Sequence, residues 1–536
     1  MSRRECPDIQ NRGNIECPAL FTPIFLTFFL PIALAGVAFA SFTAHLILQG
    51  TAHFDPGPIP VLSMAGNSRN FSIFRGEATF TPADLTARFS ATSDLDGDLT
   101  PAIYRECALA AQTVACPDTW QDWPYGDYTI TYQVQDSLGR PAQSITVEIE
   151  IWQFLSIQNG MRHVVALGSN GSVWTFGWNN NGQRGIGSPT ASAAGFRAPT
   201  QLPPSAFGNL PVIDVASAFH TSCAINLAGA AYCWGHNAAG SVGDGTTTNR
   251  TSPVPVVMPA GITFRQLSGS SGNDNSGSFG ALGSDGNVYV WGSGAGYTLG
   301  TGATANRNTP TQITSTGDFV YVWQGNRGGV AVNDQGQVYV WGANGNGQLA
   351  LGNTVAANAT NSLPNLVNGL PPISRVAYGG YGTNGFIIAL AENGDVWGWG
   401  RNYGLWGAAA PASQTTPTQL SSLSQIRRIN AGADFSHFVM GHQVYSVGYN
   451  NYGELLDGTT ATRNAPVLSG LANVAGNVGM TTGGYSNAYV LSLDGITVWG
   501  IGDSSAAYQA FGSTLVQSNS TSAVVPWTIT TQYLEW

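Results

Sequence analysis

Apolar residues follow three different patterns along the chain. Residues 19–48 are almost continuously apolar and contain no Asp, Glu, Lys or Arg. Residues 51–151 switch to short stretches that alternate apolar and polar, as half-buried strands do. From Trp152 onward, brief apolar strands recur between Gly-rich turns to the end of the chain.

At 1.5 Å per helical residue, 19–48 is long enough to cross a hydrocarbon layer of roughly 30 Å. Arg3, Arg4 and Arg12 precede it and the next Arg is Arg69, so the charge asymmetry predicts a cytoplasmic N-terminus. Pro23 suits a first helical turn and Pro31 predicts a kink. A cleaved signal peptide is the competing reading, because Ala38-Phe39-Ala40 has a small-x-small form. The apolar run outlasts that site and exceeds a usual signal core, which favours a retained anchor. Phe21, Phe25, Phe28 and Phe29 give the segment an aromatic surface for lipid, protein or pigment. His45 reads as an interfacial polar residue, or alternatively as a ligand to a metal or a pigment magnesium.

The six cysteines divide in accord with this topology. Cys6 and Cys17 fall on the reducing side, and four fall on the oxidising side, where disulfides persist. Cys223 and Cys233 flank Ala224–Tyr232, centred on Ala228-Gly229. A hairpin turn there would set the two sulfurs face to face. Cys107 and Cys116 bracket a short loop and form a second candidate bridge.

Within 51–151, Tyr128–Val134 and Ser144–Ile149 alternate in period two around the turn Asp136–Arg140. That hairpin, with Ser93-Asp94-Leu95-Asp96-Gly97-Asp98-Leu99-Thr100 and Gly126-Asp127-Tyr128, resembles bacterial Ig-like and cadherin-like extracellular modules. The resemblance implies a small β-sandwich over 51–151 that spaces the main body from the membrane. Asp94, Asp96 and Asp98 could ligate Ca²⁺, with Gly97 making the sharp turn. An EF-hand is not expected, since its twelfth loop position would be Arg105. The alternative is an Asp-rich turn whose carboxylates bond backbone amides.

An apolar or aromatic residue followed by Gly recurs seven times, at Phe176-Gly177, Trp234-Gly235, Trp291-Gly292, Trp341-Gly342, Trp399-Gly400, Val447-Gly448 and Trp499-Gly500. The glycines lie 48 to 58 residues apart. Each pair follows a strand, a Gly-containing turn and another strand, as in Ala281–Gly292 and Val330–Gly342. Asn- and Gly-rich turns come next, as in Trp234–Gly243. A polar stretch ending in Pro then follows, as in Asn249–Pro253, Asn306–Pro310 and Arg463–Pro466. This order resembles the RCC1-like repeat over residues 152–536. The resemblance implies a seven-bladed β-propeller, in which Trp234, Trp291, Trp341, Trp399 and Trp499 lie between blades. Val447 in place of Trp predicts a more lightly packed sixth blade. Val524–Ile529 reads as the outer strand of the last.

The expected fold is therefore all-β: a cytoplasmic tail over 1–18, a transmembrane helix over 19–48, an Ig-like or cadherin-like sandwich over 51–151 and the propeller over 152–536. Composition narrows the function. The 20 basic residues are all Arg, which removes P-loop, Schiff-base and general-base lysines. A net charge of -10 argues against nucleic acid as a partner. His163, His220 and His437 read as one recurring structural position. No zinc spacing, H-E-x-x-H or G-x-S-x-G motif is visible. No enzyme activity and no cofactor other than possible Ca²⁺ is expected.

Known RCC1-like proteins share protein binding, which implies a scaffold subunit. Such a subunit would dock on the periplasmic face of a bacterial inner-membrane complex, respiratory or photosynthetic, with lipid contacted through residues 19–48. A surface receptor or adhesin for a soluble protein or glycan is the alternative. The irregular segments Ser188–Pro211 and Ser268–Phe279 would then carry specificity.

Overall fold

The structure is a computed structural model. It describes residues 61–64, 70–74, 82–93, 97–109, 112–117 and 126–469, with breaks at 136, 138, 140, 162, 190–198, 271–276, 316, 356–361, 382–383 and 442. It also gives the backbone of 478–483, 487–492, 497–502, 525–528 and 534–535. The apolar run 19–48 lies outside the described residues. Among those described, no helix is long and apolar enough to cross a membrane.

From Phe154 onward the chain folds into successive four-stranded antiparallel sheets, each made from one contiguous segment; seven are described. The second is representative, with strands Val212–Ala218, Thr221–Asn226, Ala231–Gly235 and Arg250–Pro255. Neighbouring sheets pack face to face, and both inner strands of the seventh, Val478–Gly483 and Asn487–Ser492, lie against Phe154–Asn159 of the first. These are propeller-like blades, each of which covers an apolar face that a lone sheet would expose. Val525–Thr528 is the outermost strand of the last sheet.

The Trp-Gly pair has a physical explanation in this packing. Trp234, Trp291, Trp341 and Trp399 are fully buried. Trp234 lies among Val165, Leu167 and Val173 of the preceding sheet and Val215 of its own. Burial of one indole is worth up to about 5 kcal/mol. The following glycine lies where the third strand leaves the sheet. At Gly235, φ is +109°, and a Cβ would stand 2.3 Å from the His220 carbonyl oxygen. Only glycine accepts both constraints.

Val447 does not leave the sixth sheet loosely packed, contrary to expectation. It is buried in a cluster with Leu405, Tyr403 and Trp406. Trp406 occupies the loop position held elsewhere by Gln183, Ser241, Thr298 and Gln348, so the aromatic bulk comes from the neighbouring turn.

The Gly-rich turns are built around buried asparagines. Asn237 Oδ1 accepts the Val242 N–H at 2.8 Å, while its Nδ2 donates to the carbonyls of Thr246 and Thr248 at 3.2 and 3.0 Å. Asn450 repeats this with Leu455, Thr459 and Ala461 at 2.8, 3.0 and 3.1 Å. Each amide satisfies backbone groups that the turn itself cannot pair. A second device closes the same turns. Arg250 Nε donates to Asp244 Oδ2 at 2.6 Å, and Arg463 Nε to Asp457 Oδ2 at 2.7 Å. Burial pushes both carboxyls up, but hydrogen bonds from Thr246 and Arg250, and from Thr459 and Arg463, outweigh it and hold them below the usual range.

Ahead of the blades, two further sheets share a core of Leu85, Phe89, Ile130, Tyr132, Val147 and Ile149. One has three strands and the other six. Gly126–Gln133 and Ile145–Trp152 pair antiparallel, with Tyr132 opposite Ile145. A single residue, Gln153, separates Ile145–Trp152 from the first blade. Trp152 stacks on Trp174 of that blade at 5.5 Å. The last described strand, Leu534–Glu535, pairs with Asn70–Phe74 beside the same strand, so the end of the chain returns to the small β unit. Disulfides join Cys107 to Cys116 and Cys223 to Cys233, with Cα separations of 5.5 and 4.1 Å. The latter two face each other across adjacent strands.

Asn237→Ala and Asn450→Ala should each cost about 1–3 kcal/mol, because the carbonyls they serve lose their donors inside the turn; urea denaturation measures this. The Asp244 and Asp457 pairs should give a second signature. A carboxyl held below its unfolded value adds stability above that value, about pH 4, and loses it as pH falls through the folded one. Wild-type Tm should therefore drop on acidification below about pH 4. The Asp244→Asn/Asp457→Asn protein should start from a lower Tm at neutral pH and lose less; parallel curves for the two proteins would contradict the assignment.

Candidate functional site: the central channel

The first strand of each blade carries the same irregularity. Val212 pairs with Asn226 and Asp214 with Ile225, so Ile213 is skipped. The register shifts in the same way between Phe264 and Gln266, Phe319 and Tyr321, Ile373 and Arg375, Ile426 and Arg428, and Val478 and Met480. In the first blade, Gly168 pairs with Phe154 and Leu167 with Ser156. These are β-bulges, which bend a strand and re-aim the side chain that follows. Here they place Ser156, Asp214, Gln266, Tyr321, Arg375 and Arg428 on the wall of one cavity of about 320 Å³, where the inner strands converge. Met480 holds the equivalent register position in the seventh.

Two of these side chains join one blade to the next. Asp214 accepts the Val215 and Leu267 N–H groups at 2.9 and 2.7 Å. Gln266 donates to the Val322 carbonyl at 3.2 Å and accepts the Val322 N–H at 3.1 Å. Desolvation between the channel walls raises the Asp214 carboxyl to about 7, against the pull of those two N–H donors. The wall then changes character. Tyr321 is half-buried, its hydroxyl pushed up to about 12 chiefly by desolvation. The Arg375 guanidinium lies 5.9 Å from its ring centroid. Arg428 is held below the usual arginine value by burial and by the neighbouring Arg375 charge.

The sequence-derived site residues fall elsewhere. Asp94 and Asp96 lie outside the described residues. Asp98 is exposed and its Oδ1 accepts the Thr100 N–H at 2.9 Å; the Thr100 hydroxyl, followed by this N–H, holds its carboxyl low. The Trp residues bond between blades: Trp234, Trp291 and Trp399 donate to the carbonyls of Gln183, Ser241 and Gln348 at 2.8, 2.9 and 2.8 Å. For Trp341 the corresponding acceptor, Thr298, is taken by Gln324 Nε2 at 3.1 Å. The side chain of Trp499 lies outside the described residues. Of the irregular segments, Thr200–Gln201 is the outer strand of the first blade, while Ser268–Gly269 and Ser278–Phe279 extend the inner strands of the third.

The three histidines do not share one repeat position. His163 faces Gly177, but Thr221 faces Gly235 and Phe435 faces Gly448. His220 therefore falls one residue early and His437 two late. His163 Nε2 lies 2.9 Å from Ser222 Oγ, whose own proton goes to the Gln183 carbonyl at 2.9 Å. The imidazole is thus a donor, and burial followed by the nearby His220 pushes it down to about 3. A hydroxyl that gives its proton to a carbonyl is not activated as a nucleophile.

The channel residues escaped the sequence reading, although a signal was present. Apolar residues three apart, as in Val212-Ile213-Asp214-Val215 and Ile426-Arg427-Arg428-Ile429, break the period of two that a flat strand requires.

Three segments, 170–225, 285–332 and 335–384, match the model for the regulator of chromosome condensation (RCC1) repeat. Each runs from the hairpin of one blade into the second strand of the next, so sequence repeat and blade are out of phase. The ultraviolet-B receptor UVR8 of Arabidopsis thaliana is 29% identical over 154 residues, covering 29% of this chain and 32% of the relative. The human E3 ubiquitin-protein ligase HERC2 is 25% identical over 339 residues, covering 62% of this chain and 6% of that one. The chain thus spans about a third of the first relative and a small part of the second. Among solved structures, human WBSCR16 superimposes with a TM-score of 0.54 at 19% identity, over 67% of this chain and 95% of that one. Prp20p of Saccharomyces cerevisiae, described with its binding properties to Gsp1p and histones, gives 0.53 at 20% identity, over 62% and 80%. Three segments of the chain are thus similar to RCC1 repeats, and the likeness to the solved structures is one of fold.

Proposed function

We propose that this chain is a non-enzymatic, protein-binding subunit. Its seven blades, over 152–536, close into one propeller, which the Ig-like unit over 51–151 lifts from a membrane anchor over 19–48. The propeller docks on the periplasmic face of a larger membrane complex in a bacterial inner membrane. One observation carries the recognition reading. The side chains that build the frame recur from blade to blade, as at Asn237 and Asn450, whereas the channel position changes from Ser156 to Asp214, Gln266, Tyr321, Arg375 and Arg428. A uniform frame with an uneven lining suits selective binding, and RCC1-like propellers mediate protein–protein interactions. The charge-free run 19–48 and the disulfides Cys107–Cys116 and Cys223–Cys233 agree with an anchored protein in an oxidising compartment.

Purification of the full chain from native membranes in mild detergent should retain integral membrane proteins in fixed stoichiometry, counted by mass spectrometry. A lone monomer, or a soluble extracytoplasmic protein as its one companion, would replace the docking role with that of a surface receptor or adhesin.

A further inference from the structure

Among the described residues, two channel side chains are hydrogen-bonded from one blade to the next. Asp214 and Gln266 each reach backbone of the next blade. Arg375 and Arg428, at the equivalent places two and three blades further on, do not. Apart from the contact of Arg375 with Tyr321, neither has a hydrogen-bond or ion-pair partner among the described residues. Inner strands in matching register set the two guanidinium groups side by side, where each opposes the charge of the other. A frame that needed only cohesion would fill these places as it fills the second and third blades.

Arginine carries five N–H donors in a planar fork that matches a carboxylate. Arg375 is exposed and Arg428 half-buried on this wall, so what favours a carboxylate there is two converging guanidinium groups and charge-assisted pairing rather than dehydration. Opposite the arginines stands Asp214, with Ser156 and Gln158 on the neighbouring wall and Leu155 and Ile213 supplying apolar surface. A cavity of about 320 Å³ falls at the small end of the range for organic ligands.

We propose that the channel is a binding site for a small organic acid with a carboxylate at one end and a cationic or hydroxyl donor at the other. The carboxylate docks on Arg375 and Arg428, and the donor end points to Asp214. This proposal rests on the same uneven lining as the recognition reading and names a small ligand for the interior of the ring; its failure would leave the docking role to be decided by the detergent purification.

Isothermal titration of the full chain in detergent with three probes of similar length tests the proposal: 4-aminobutyrate, butyrate and butylamine, at matched ionic strength. Saturable binding is expected for 4-aminobutyrate, weaker binding for butyrate and none for butylamine. Arg375→Gln and Arg428→Gln should each weaken both carboxylates at least tenfold, without lowering the ligand-free Tm, because each relieves the repulsion between the two charges. Asp214→Asn should remove the advantage of 4-aminobutyrate over butyrate. Arg427→Gln, on the same strand but off the cavity wall, should bind as wild type and serves as the folding control. Absence of saturable binding by both carboxylates, or wild-type binding by the Arg375 and Arg428 variants, would overturn it.

Discussion

The architecture depends on the removal from water of an indole between one sheet and the next. A four-stranded sheet with apolar side chains on both faces has no stable existence alone, and radial packing covers both faces at once. Trp234, Trp291 and Trp399 add direction to that packing, since each indole N–H ends on a carbonyl in the turn of the preceding blade. Non-directional burial and a directed hydrogen bond therefore fix the same spacing. The bond ties each Gly-rich turn to the next sheet, so an asparagine that shapes its own turn also sets the place of its neighbour's tryptophan.

Much of this was legible in the sequence because it rests on local chemistry. Trp-Gly marks a place where a large apolar group must be buried and the next residue must tolerate positive φ with no room for a Cβ, and only one residue type meets the second demand. The Cys223–Cys233 pairing follows from a hairpin whose midpoint the sequence shows. The hairpins recur because Gly-containing turns join strands of similar length.

What stayed hidden depends on relations between strands. A β-bulge adds a residue to one strand, and its mark is the spacing of apolar residues against a partner strand that the linear sequence does not display. Ser156 through Arg428 therefore looked like unrelated polar residues on six separate strands. The histidines misled for a related reason. Turns of different length precede the second strand, so similar distances along the chain end at different rungs. The exchange between Val447 and Trp406 is likewise invisible in one repeat, because the lost volume is restored from the adjacent turn.

The two kinds of position obey different constraints. Asn237 and Trp234 satisfy groups inside the chain, and a change there leaves a buried atom without a partner, while any side chain at Gly235 would clash with the His220 carbonyl. Arg375 meets only Tyr321 of the preceding blade, Arg428 has no hydrogen-bond or ion-pair partner among the described residues, and each makes the placement of the other less favourable. Asp214 shows that the same register place can be used for cohesion, since its carboxylate joins the second blade to the third. Two adjacent blades that forgo such a bond for two like charges gain no cohesion there, and a bound anion would give that arrangement a favourable counterpart. The physical distinction between frame and site is therefore whether a side chain is satisfied within the fold, and by that criterion the boundary lies between Tyr321 and Arg375.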